Sequence, residues 1–476
     1  MFIGRERELN DLNQRYNSDK FELAVIYGRR RVGKTTLINE FIKDKGSIFY
    51  SATETNSKQN LSELSQSIYS FTSEFKDSES IFTSFKAAFE TVFKLAETKR
   101  IVFVIDEFPY LAACSKGISS VLQQVIDKNN AHSKLFIILC GSSMSFMENQ
   151  VMGYKSPLYG RRTCQYKINP FEFFEFGNYY KNFKPEELVL VYGITGGIPL
   201  YMSMINDKLS VEDNIKENFL VPNSYLFEEP TNLIKQECRD ASQYNSIIGA
   251  IAGGATRLSE ICGKTDLDTS LATSYINKLI GLGIIKKETP FGVRNSKKPI
   301  YVLEDSMFEF WYRFVQPNVS LINRGLKDVV YKKISEQIPA YTGGVFENVC
   351  KQYMWKLLEN GKAEFTEIGR WWGTDPKTKS QEEIDIMGTA DKNTALFGEC
   401  KWKNEKVDIS VLETLVKRSE IFDFKNRTYY LFSKSGFTDG CIEQATEMGN
   451  VSLVEYADML EQIHLKNNIV HTKAIF

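Results

Sequence analysis

A short run of glycine, lysine and threonine residues has the spacing that is needed to hold a chain of phosphates. The run is Gly28-Arg29-Arg30-Arg31-Val32-Gly33-Lys34-Thr35-Thr36, and it fits G-x-x-x-x-G-K-[ST]. The glycines let backbone N–H groups close around phosphate oxygens, Lys34 reaches the terminal phosphates, and Thr35 offers a hydroxyl to Mg²⁺. An apolar run precedes it and a predicted helix over 36–42 follows. The sequence therefore predicts a site for ATP and Mg²⁺.

An acidic pair follows the second apolar run of the chain. Asp106 and Glu107 come directly after residues 101–105, and we expect Asp106 to hold Mg²⁺, directly or through water, while Glu107 polarises the attacking water. Acidic residues after a strand are also common in turns. Ser142 or Ser143, after the third apolar run, is positioned either to sense the γ-phosphate or to cap a helix.

A second group of charged residues near the C-terminus suits phosphodiester hydrolysis. Glu399 lies fourteen residues after Asp385, and Lys401 follows two residues later. Glu399 and Lys401 point to the same face of a strand because side chains alternate. Two carboxylates can hold Mg²⁺ or Mn²⁺, and a nearby lysine can orient or deprotonate water. We expect Asp385 and Glu399 to be metal ligands, with Glu347 from a predicted helix completing the cluster. Taken alone, E-x-K is also a common ion pair on exposed strands.

The elements that must position these residues alternate between strands and helices. Apolar runs at 23–27, 101–105 and 135–139 predict buried parallel strands, and the α/β pattern places sites at their carboxyl ends. We divide the chain into an α/β core, a helical lid, a winged helix, a linker and a C-terminal α/β domain. The expected bounds are 1–170, 171–240, 241–310, 311–335 and 336–476, respectively.

Composition narrows the classes of protein and of site. Lys and Arg number 59 against 60 acidic residues, so a nucleic acid partner must be met by local charge. The eight cysteines form no CxxC pair and there are only three histidines, which argues against zinc. We see neither a basic-then-apolar leader nor an apolar run near 18 residues, so we expect a cytoplasmic protein with no membrane contact.

The N-terminal motifs resemble a known family. The segments 2–8, 27–36, 105–107, 159–162 and 196–199 are similar to the archaeal-type ATPases of the AAA+/STAND group. The resemblance covers about the first 205 residues. It implies that Gly4, Arg5 and Pro199 frame the adenine. It also implies that Arg161 or Arg162 approaches the γ-phosphate, in cis or from a neighbouring subunit of a homo-oligomer, although a surface arginine is commonly just solvated.

The C-terminal motif resembles a second family. Asp385, Glu399, Lys401 and Glu347 look like the site of the PD-(D/E)xK nuclease superfamily, over roughly residues 336–432. The resemblance implies a restriction-endonuclease-like fold. The chain departs from the pattern at Ile384, which stands where the superfamily has proline.

DNA is the expected partner of the region 241–310. Its recognition helix, over 270–282, exposes short polar groups suited to groove edges, and its wing is basic. The wing cations are Lys286, Lys287, Arg294, Lys297 and Lys298. Winged helices also serve as protein contacts or spacers, so both interpretations stay open.

These observations support two functional hypotheses of different classes. The first is a Mg²⁺-dependent ATPase switch that is joined through a winged helix to a metal-dependent nuclease acting on DNA. The second is a non-cleaving, ATP-dependent regulator or scaffold that binds DNA or a protein. A motor that moves along DNA is disfavoured because the sequence has no obvious helicase motif or pore loop.

Overall fold

The computed structural model describes residues 2–72, 81–293 and 299–460, which divide into two compact units. The first unit comprises residues 1–170 together with 198–200, and the second comprises 171–197 and 201–476. The four segments that we expected after residue 170 thus fall within one compact unit, apart from three residues.

The first unit is built on a five-stranded parallel sheet. Its strand order is β2-β3-β4-β1-β5, and every neighbouring pair is parallel. The three apolar runs form β1, β3 and β4, with every residue of each strand buried. This confirms the predicted parallel α/β core. The strands are β1 (Glu22–Tyr27), β2 (Ser47–Ser51), β3 (Ile101–Asp106), β4 (Leu135–Gly141) and β5 (Cys164–Lys167).

Helices cover both faces of this sheet. Alternate residues of the strands, such as Leu23 and Ala24, enter separate apolar cores on the two faces. The helices are α1 (Glu6–Tyr16), α2 (Lys34–Ile42), α3 (Ser57–Phe71), α4 (Phe85–Leu95), α5 (Phe108–Cys114), α6 (Ile118–Asn129) and α7 (Met144–Phe146), with a 3₁₀ turn at Asn130–His132 and a π-helical turn at Met147–Val151.

The second unit begins with helices whose aromatic side chains are packed inside. Phe173, Phe174 and Phe176 are buried, so the aromatic cluster at the start of the expected lid contributes to a core. The helices of this part are α8 (Phe173–Phe176), α9 (Pro185–Thr195), α10 (Pro199–Met204), α11 (Val211–Phe219) and α12 (Tyr225–Glu237).

Three helices and an antiparallel strand pair follow, in the order expected for 241–310. They are α13 (Ala241–Ala252), α14 (Leu258–Thr265), α15 (Thr269–Gly281), β6 (Ile285–Glu288) and β7 (Ile300–Leu303). Residues 294–298, between the two strands, lie outside the described part of the chain.

The segment 311–335, which we expected to be a linker, is folded and partly buried. Trp311, Tyr312, Phe314 and Val315 are all buried. A linker contributes few side chains to a core, whereas this segment buries several large apolar ones. The expectation of a linker was therefore wrong. Its elements are α16 (Ser306–Phe310), a π-helical turn at Trp311–Val315, a 3₁₀ turn at Gln316–Asn318, α17 (Val319–Ile322) and α18 (Lys327–Ser335).

The C-terminal part contains a mixed five-stranded sheet in the order β12-β11-β10-β9-β8. The three strands β8, β9 and β10 pair antiparallel, whereas β10, β11 and β12 pair parallel. Leu412 and Leu415 of α20 pack in a core that also contains Ile384 of β9. The elements are α19 (Ile338–Glu359), β8 (Glu367–Thr374), β9 (Gln381–Thr389), β10 (Thr394–Lys401), α20 (Ile409–Ser419), β11 (Asn426–Ser433), α21 (Asp439–Met448) and β12 (Val451–Glu455).

Across residues 2–72, 81–293 and 299–460, no helix is both long enough and apolar enough to span the hydrocarbon core of a bilayer.

Candidate functional site

The loop between β1 and α2 is held in a backbone conformation that suits phosphate binding. A side chain at Gly28 is excluded because its Cβ would lie 2.2 Å from the Ile168 carbonyl oxygen. Arg31 and Gly33 both have positive φ, of 73° and 88°, which turns the chain sharply. No side chain caps α2 at Gly33. The first N–H groups of the helix are therefore left to bind an anion.

Lys34 lies inside this loop. Its Nζ donates hydrogen bonds to the carbonyl oxygens of Gly28 at 3.0 Å and Arg29 at 2.9 Å, and the residue is only 7% exposed. Burial lowers the pKa of the Lys34 ammonium, and the nearby charges of Glu107 and Asp106 oppose that shift. The loop thus fixes a single buried cation at its centre, as the sequence predicts for a phosphate contact.

The end of β3 faces the start of α2. Thr35 Oγ1 donates to Asp106 Oδ2 at 3.0 Å, and the Glu107 N–H donates to Asp106 Oδ1 at 3.0 Å. A threonine hydroxyl and a carboxylate are hard oxygen donors of the kind that Mg²⁺ prefers. The structure therefore brings the two predicted Mg²⁺ ligands together, and their chemistry fits that ion.

Glu107 is hydrogen-bonded to the residue that follows β4. Its Oε2 accepts from Ser142 N at 3.3 Å and from Ser142 Oγ at 3.0 Å. Ser143 is the N-cap residue of α7, yet its side chain makes no capping hydrogen bond. The contact between Ser142 and Glu107 could not be predicted from the sequence, because the two residues are 35 positions apart.

The segment before α1 is tied to the phosphate loop. Gly4 and Arg5 both have a φ of 65°, and the buried Arg5 guanidinium donates to the carbonyl oxygens of Val32, at 3.4 Å, and Asn169. Pro199 Cγ lies 3.7 Å from the position that a Cβ on Gly33 would take. The residues that the resemblance assigns to the adenine thus lie beside the loop.

The three arginines within the loop have different surroundings. Arg29 contributes its carbonyl oxygen to Lys34, and Arg30 Nη2 donates to the Tyr110 hydroxyl on α5 at 2.8 Å. Arg31 takes the left-handed backbone that bends the loop. The structure thus gives at least Arg29 and Arg31 a role in shaping the loop through their backbones.

Arg161 and Arg162 are engaged away from the phosphate loop. Arg161 forms a bidentate pair with Asp127 of α6, with both N–O distances 2.7 Å, and this hydrogen bond lowers the pKa of Asp127. Arg162 Nη1 donates to the Met152 carbonyl oxygen at 2.8 Å. Both residues precede β5, whose first residue pairs with Ala24. In the described part of the chain, no hydrogen bond or ion pair joins either arginine to residues 28–36.

The candidate residues Asp385, Glu399 and Lys401 lie together where the ladder between β9 and β10 ends. The ladder between β9 and β10 pairs Gly398 with Ile386, and Glu399 and Asp385 are the next residues along each strand. At this point the Cys400 N–H donates to Asp385 Oδ2 at 2.9 Å, in place of a main-chain acceptor. Lys401 Nζ donates to Glu399 Oε1 at 2.6 Å. The predicted aspartate, glutamate and lysine are therefore brought together.

Glu347 of α19 belongs to the same acidic cluster. Burial, followed by the charge of Asp385, raises the pKa of Glu347 well above its usual range. Burial, followed by the charge of Glu399, likewise raises the pKa of Asp385. Carboxylates that are crowded and desolvated in this way repel one another, and a bound cation relieves such repulsion.

Three cations that the sequence analysis missed belong to this cluster or border it. Arg418 of α20 donates to Glu382 Oε2 at 2.9 Å and to Glu399 Oε2 at 3.4 Å. Arg370 of β8 pairs with Glu383 of β9. Lys351 follows Glu347 by one helical turn. No local motif marks these residues, since their partners are distant in sequence or are set by strand pairing.

The cluster differs from a formed metal centre. Among residues 2–72, 81–293 and 299–460, no group of three or more His, Cys, Asp or Glu side chains is arranged to hold a metal ion. Both oxygens of Glu399 instead accept from cations, Lys401 and Arg418. The two expected metal ligands, Asp385 and Glu399, are thus present as a pair of carboxylates. Glu399 is already bound by the side chains of Lys401 and Arg418.

The region 241–310 has an exposed polar helix face. On α15, Thr269, Ser270, Ser274, Asn277 and Lys278 are exposed, and Thr273 is half-buried. Lys286 of β6 forms an ion pair with Glu288 at 2.6 Å. Lys287 of β6 is exposed, and the remaining three wing cations that we named, Arg294, Lys297 and Lys298, lie outside the described residues.

Comparisons with known proteins identify the family. Residues 2–205 match the model of an ATPase domain found predominantly in Archaea. An uncharacterised protein of Methanocaldococcus jannaschii is 34% identical over 410 residues, which cover 85% of this chain and 88% of that protein. The chain belongs to the archaeal-type ATPase family. It carries an ATP-binding P-loop ATPase domain.

Further similarities to this archaeal-type ATPase are partial. Residues 311–412 match a family of archaeal and bacterial proteins of unknown function. An uncharacterised ATP-binding protein of M. jannaschii is 49% identical over 45 residues, which cover 10% of this chain and 76% of that protein.

Two solved structures are similar to part of this chain at low sequence identity. A Walker-type ATPase of Pyrococcus abyssi has a TM-score of 0.49 and 22% identity, covering 66% of this chain and 96% of its own. The Aeropyrum pernix ORC1 protein in complex with DNA has a TM-score of 0.37 and 15% identity, covering 68% and 95%.

Proposed function

We propose that this archaeal-type ATPase is a Mg²⁺-dependent ATP switch that is coupled, through a winged helix at 241–310, to a metal-dependent nuclease in its C-terminal sheet. DNA is the proposed substrate, and the nuclease is of the PD-(D/E)xK type. One observation carries the proposal. Asp385 and Glu399 lie side by side where β9 and β10 part, and Lys401 contacts Glu399 at 2.6 Å.

The proposed chemistry of the nuclease follows from the donor types. The two carboxylates would hold Mg²⁺ or Mn²⁺, which supplies charge stabilisation and an acidified water. Lys401 lies within reach of that position and would orient or deprotonate the nucleophile. Although burial lowers the pKa of Lys401, the charge of Glu399 and the hydrogen bond to it raise that pKa, so the ion pair keeps the ammonium charged and suited to orienting the water. Lys401 would have to leave this ion pair and lose its proton before it could act as the base.

The proposed chemistry of the ATPase uses the residues at the carboxyl ends of β1 and β3. Lys34 and the N–H groups of α2 would hold the phosphates, Thr35 and Asp106 would bind Mg²⁺, and Glu107 would polarise water. Ser142 would keep the Glu107 carboxylate in position. Arg161 would have to exchange its pair with Asp127 before it could act on nucleotide in its own subunit.

A second candidate function is a non-cleaving regulator or scaffold that binds DNA or a protein. The observation that favours it is the bridging of Glu399 by Lys401 and Arg418, which leaves this carboxylate neutralised without a metal. An acidic cluster that is balanced by cations in this way can be a structural ion-pair network.

Cleavage assays distinguish the two candidates. Supercoiled, linear, branched and single-stranded DNA would be incubated with Mg²⁺ or Mn²⁺, with and without ATP. We expect Asp385→Ala to abolish cutting and Lys401→Met to slow it by about 100-fold or more. The matched control is Asp423→Ala, which removes an exposed carboxylate in the same domain and leaves cutting unchanged.

Lys34→Ala tests the coupling between the ATPase and the nuclease. If ATP gates the nuclease, this variant retains the C-terminal cluster yet loses the ATP-dependent part of the cutting. No cutting by the wild type on any of these DNAs, together with intact ATP turnover, would reject the nuclease and favour the regulator.

A further inference from the structure

A cleft of about 570 Å³ lies beside the acidic cluster of the second unit. Its walls are residues 288–293, which run on from the last residue of β6, together with one side of α19 and the strand β8. The Phe291 N–H donates to the Arg370 carbonyl oxygen at 2.9 Å, and the Phe291 ring contacts Gly369. The segment after β6 is therefore docked on β8, and the cleft has fixed walls of a size typical of ligand sites.

Two tryptophans line this cleft. Trp355 of α19 is 44% exposed, although its ring also contacts Phe365 at 4.9 Å. Trp372 of β8 lies on the cleft side, while its neighbour Trp371 is buried in the apolar core. An indole ring that is partly exposed in a cleft offers a flat face on which a nucleic acid base can stack.

Of the cations in and beside the cleft, Lys351 has no ion-pair partner among the described residues, unlike its neighbours Lys286 and Arg370. Lys286 pairs with Glu288, and Arg370 pairs with Glu383. Lys351 forms no hydrogen bond and no ion pair within the described part of the chain. Burial lowers the pKa of Lys351 and the positive charge of Lys286 adds to that effect, whereas the charges of Glu288 and Glu347 oppose it. An anion bound here would stabilise the ammonium, although the carboxylate of Glu367 also borders the cleft.

The cleft adjoins the residues to which we assign cutting. Lys351 follows Glu347 by four residues on α19, so the two side chains share one helix face. Burial lowers the pKa of Arg370, but the charge of Glu383, followed by those of Glu347 and Asp385, raises it, so Arg370 also lies near the acidic cluster. A phosphate on Lys351 would thus be a near neighbour of a phosphate at Asp385.

We propose that this cleft binds one nucleotide of single-stranded DNA, with its base on Trp355 or Trp372 and its phosphate on Lys351. The position of the cleft relative to the cut phosphate rests on the proposed nuclease function. An unpaired strand is the fitting occupant because its bases are free to leave their own stack and enter a cleft, whereas the bases of a duplex have their faces covered.

Binding by the full-length chain tests this without any cutting. Fluorescence anisotropy would be measured in EDTA with three labelled ligands: a 12-nucleotide oligothymidine, an abasic strand with the same number of phosphates, and a 12-base-pair duplex. The variants are Trp355→Ala, Trp372→Ala and Lys351→Ala. The matched controls are Tyr225→Ala, which removes a ring that is exposed to a similar extent at 42%, and the exposed Lys208→Ala.

The stacking and phosphate contacts give different expected results. Trp355→Ala or Trp372→Ala should weaken oligothymidine binding by about tenfold and leave abasic binding unchanged. Lys351→Ala should weaken both single strands and lower the slope of log affinity against log salt by about 0.7. Trp355→Phe keeps a ring against Phe365, so it should retain most of the affinity and show that the fold survives.

Other outcomes would overturn the proposal. Normal oligothymidine binding by all three cleft variants, or equal losses for the abasic strand in the tryptophan variants, would remove the base-stacking site. Cutting by the wild type combined with normal binding by these variants would reject the cleft and keep the nuclease. Binding as expected, without cutting by the wild type, would keep the cleft and reject the nuclease.

Discussion

At the level of single residues, Glu107 shows how backbone conformation and hydrogen bonds fix the position of a side chain at the ATP site. Its backbone has a φ of 50°, a left-handed conformation that costs a residue other than glycine about 1–2 kcal/mol. The carboxylate is then fixed by two hydrogen bonds from Ser142. Strain that is held in place by specific contacts is common where a side chain must be aimed at a substrate.

Replacement of Glu107 by glutamine separates ATP binding from ATP hydrolysis. The amide oxygen of Glu107→Gln can still accept from Ser142, so the site keeps its shape, but it cannot act as a base. We expect ATP hydrolysis to fall by about 100- to 10,000-fold while ATP affinity stays within about threefold of the wild type. Phosphate release and isothermal titration with ATP and Mg²⁺ measure the two quantities.

The control for this experiment is Glu97→Gln, which alters an exposed carboxylate in the same unit and should hydrolyse ATP normally. A Glu107→Gln protein with more than a tenth of the wild-type turnover would show that Glu107 is not the residue that activates water.

The placement of Lys34 and Thr35 in the loop, with Asp106 close by, could be predicted from the sequence, whereas the partners of the acidic cluster could not. Lys34 and Thr35 are adjacent in the chain, so their spacing fixes their geometry, and Asp106 follows an apolar run that is easily recognised as a strand of the same sheet. Arg418 reaches Glu382 and Glu399 across 36 and 19 residues, and that encounter depends on how α20 packs on the sheet. Ser142 and Glu107 meet for a similar reason, because parallel strands bring their carboxyl ends together.

At the level of elements, sequence patterns identify buried strands more easily than partly exposed ones. The strands β1, β3 and β4 are unbroken apolar runs and were predicted. The strands β2 and β5 were not, because their residues alternate between more and less buried positions and the local sequence is too short to show the pattern. The π-helical turn at Trp311–Val315 was likewise missed, since it has no sequence signal of its own.

Replacement of Trp311 tests whether the segment 311–335 is structural. Trp311 is 6% exposed, and its indole N–H donates to the Phe227 carbonyl oxygen at 2.8 Å. Trp311→Ala removes this hydrogen bond and leaves a cavity, so we expect the free energy of opening α12 and α16 to fall by about 3–5 kcal/mol. Hydrogen exchange of the amides in those two helices measures this free energy.

The control lies in the same segment. Val329 of α18 is 55% exposed, so Val329→Ala should change the free energy of opening by no more than about 0.5 kcal/mol. If Trp311→Ala also cost less than about 1 kcal/mol, the segment would behave as the linker that the sequence suggested.

At the level of the whole molecule, the chain carries an ATP site in one compact unit and an acidic cluster in the other. A switch requires that ligand binding in one unit change the free energy of binding in the other. Thermodynamic linkage makes this coupling reciprocal, so any factor by which ATP changes DNA affinity must also appear in the effect of DNA on ATP affinity. The proposed function can therefore be tested without measuring cleavage.

We expect single-stranded DNA to change the affinity for ATP by about 5- to 150-fold, which is the usual range of coupling between two sites. The measurement uses the double variant Glu107→Gln, Asp385→Asn, so that neither ATP nor DNA is consumed, and titrates Mg²⁺-ATP with and without saturating oligothymidine. The reverse titration must give the same factor. Lys34→Ala, added to this variant, should remove the effect of ATP on DNA binding.

Affinities that agree within twofold in all titrations would mean that the two sites act independently, and the ATPase would then not be a switch for the acidic cluster.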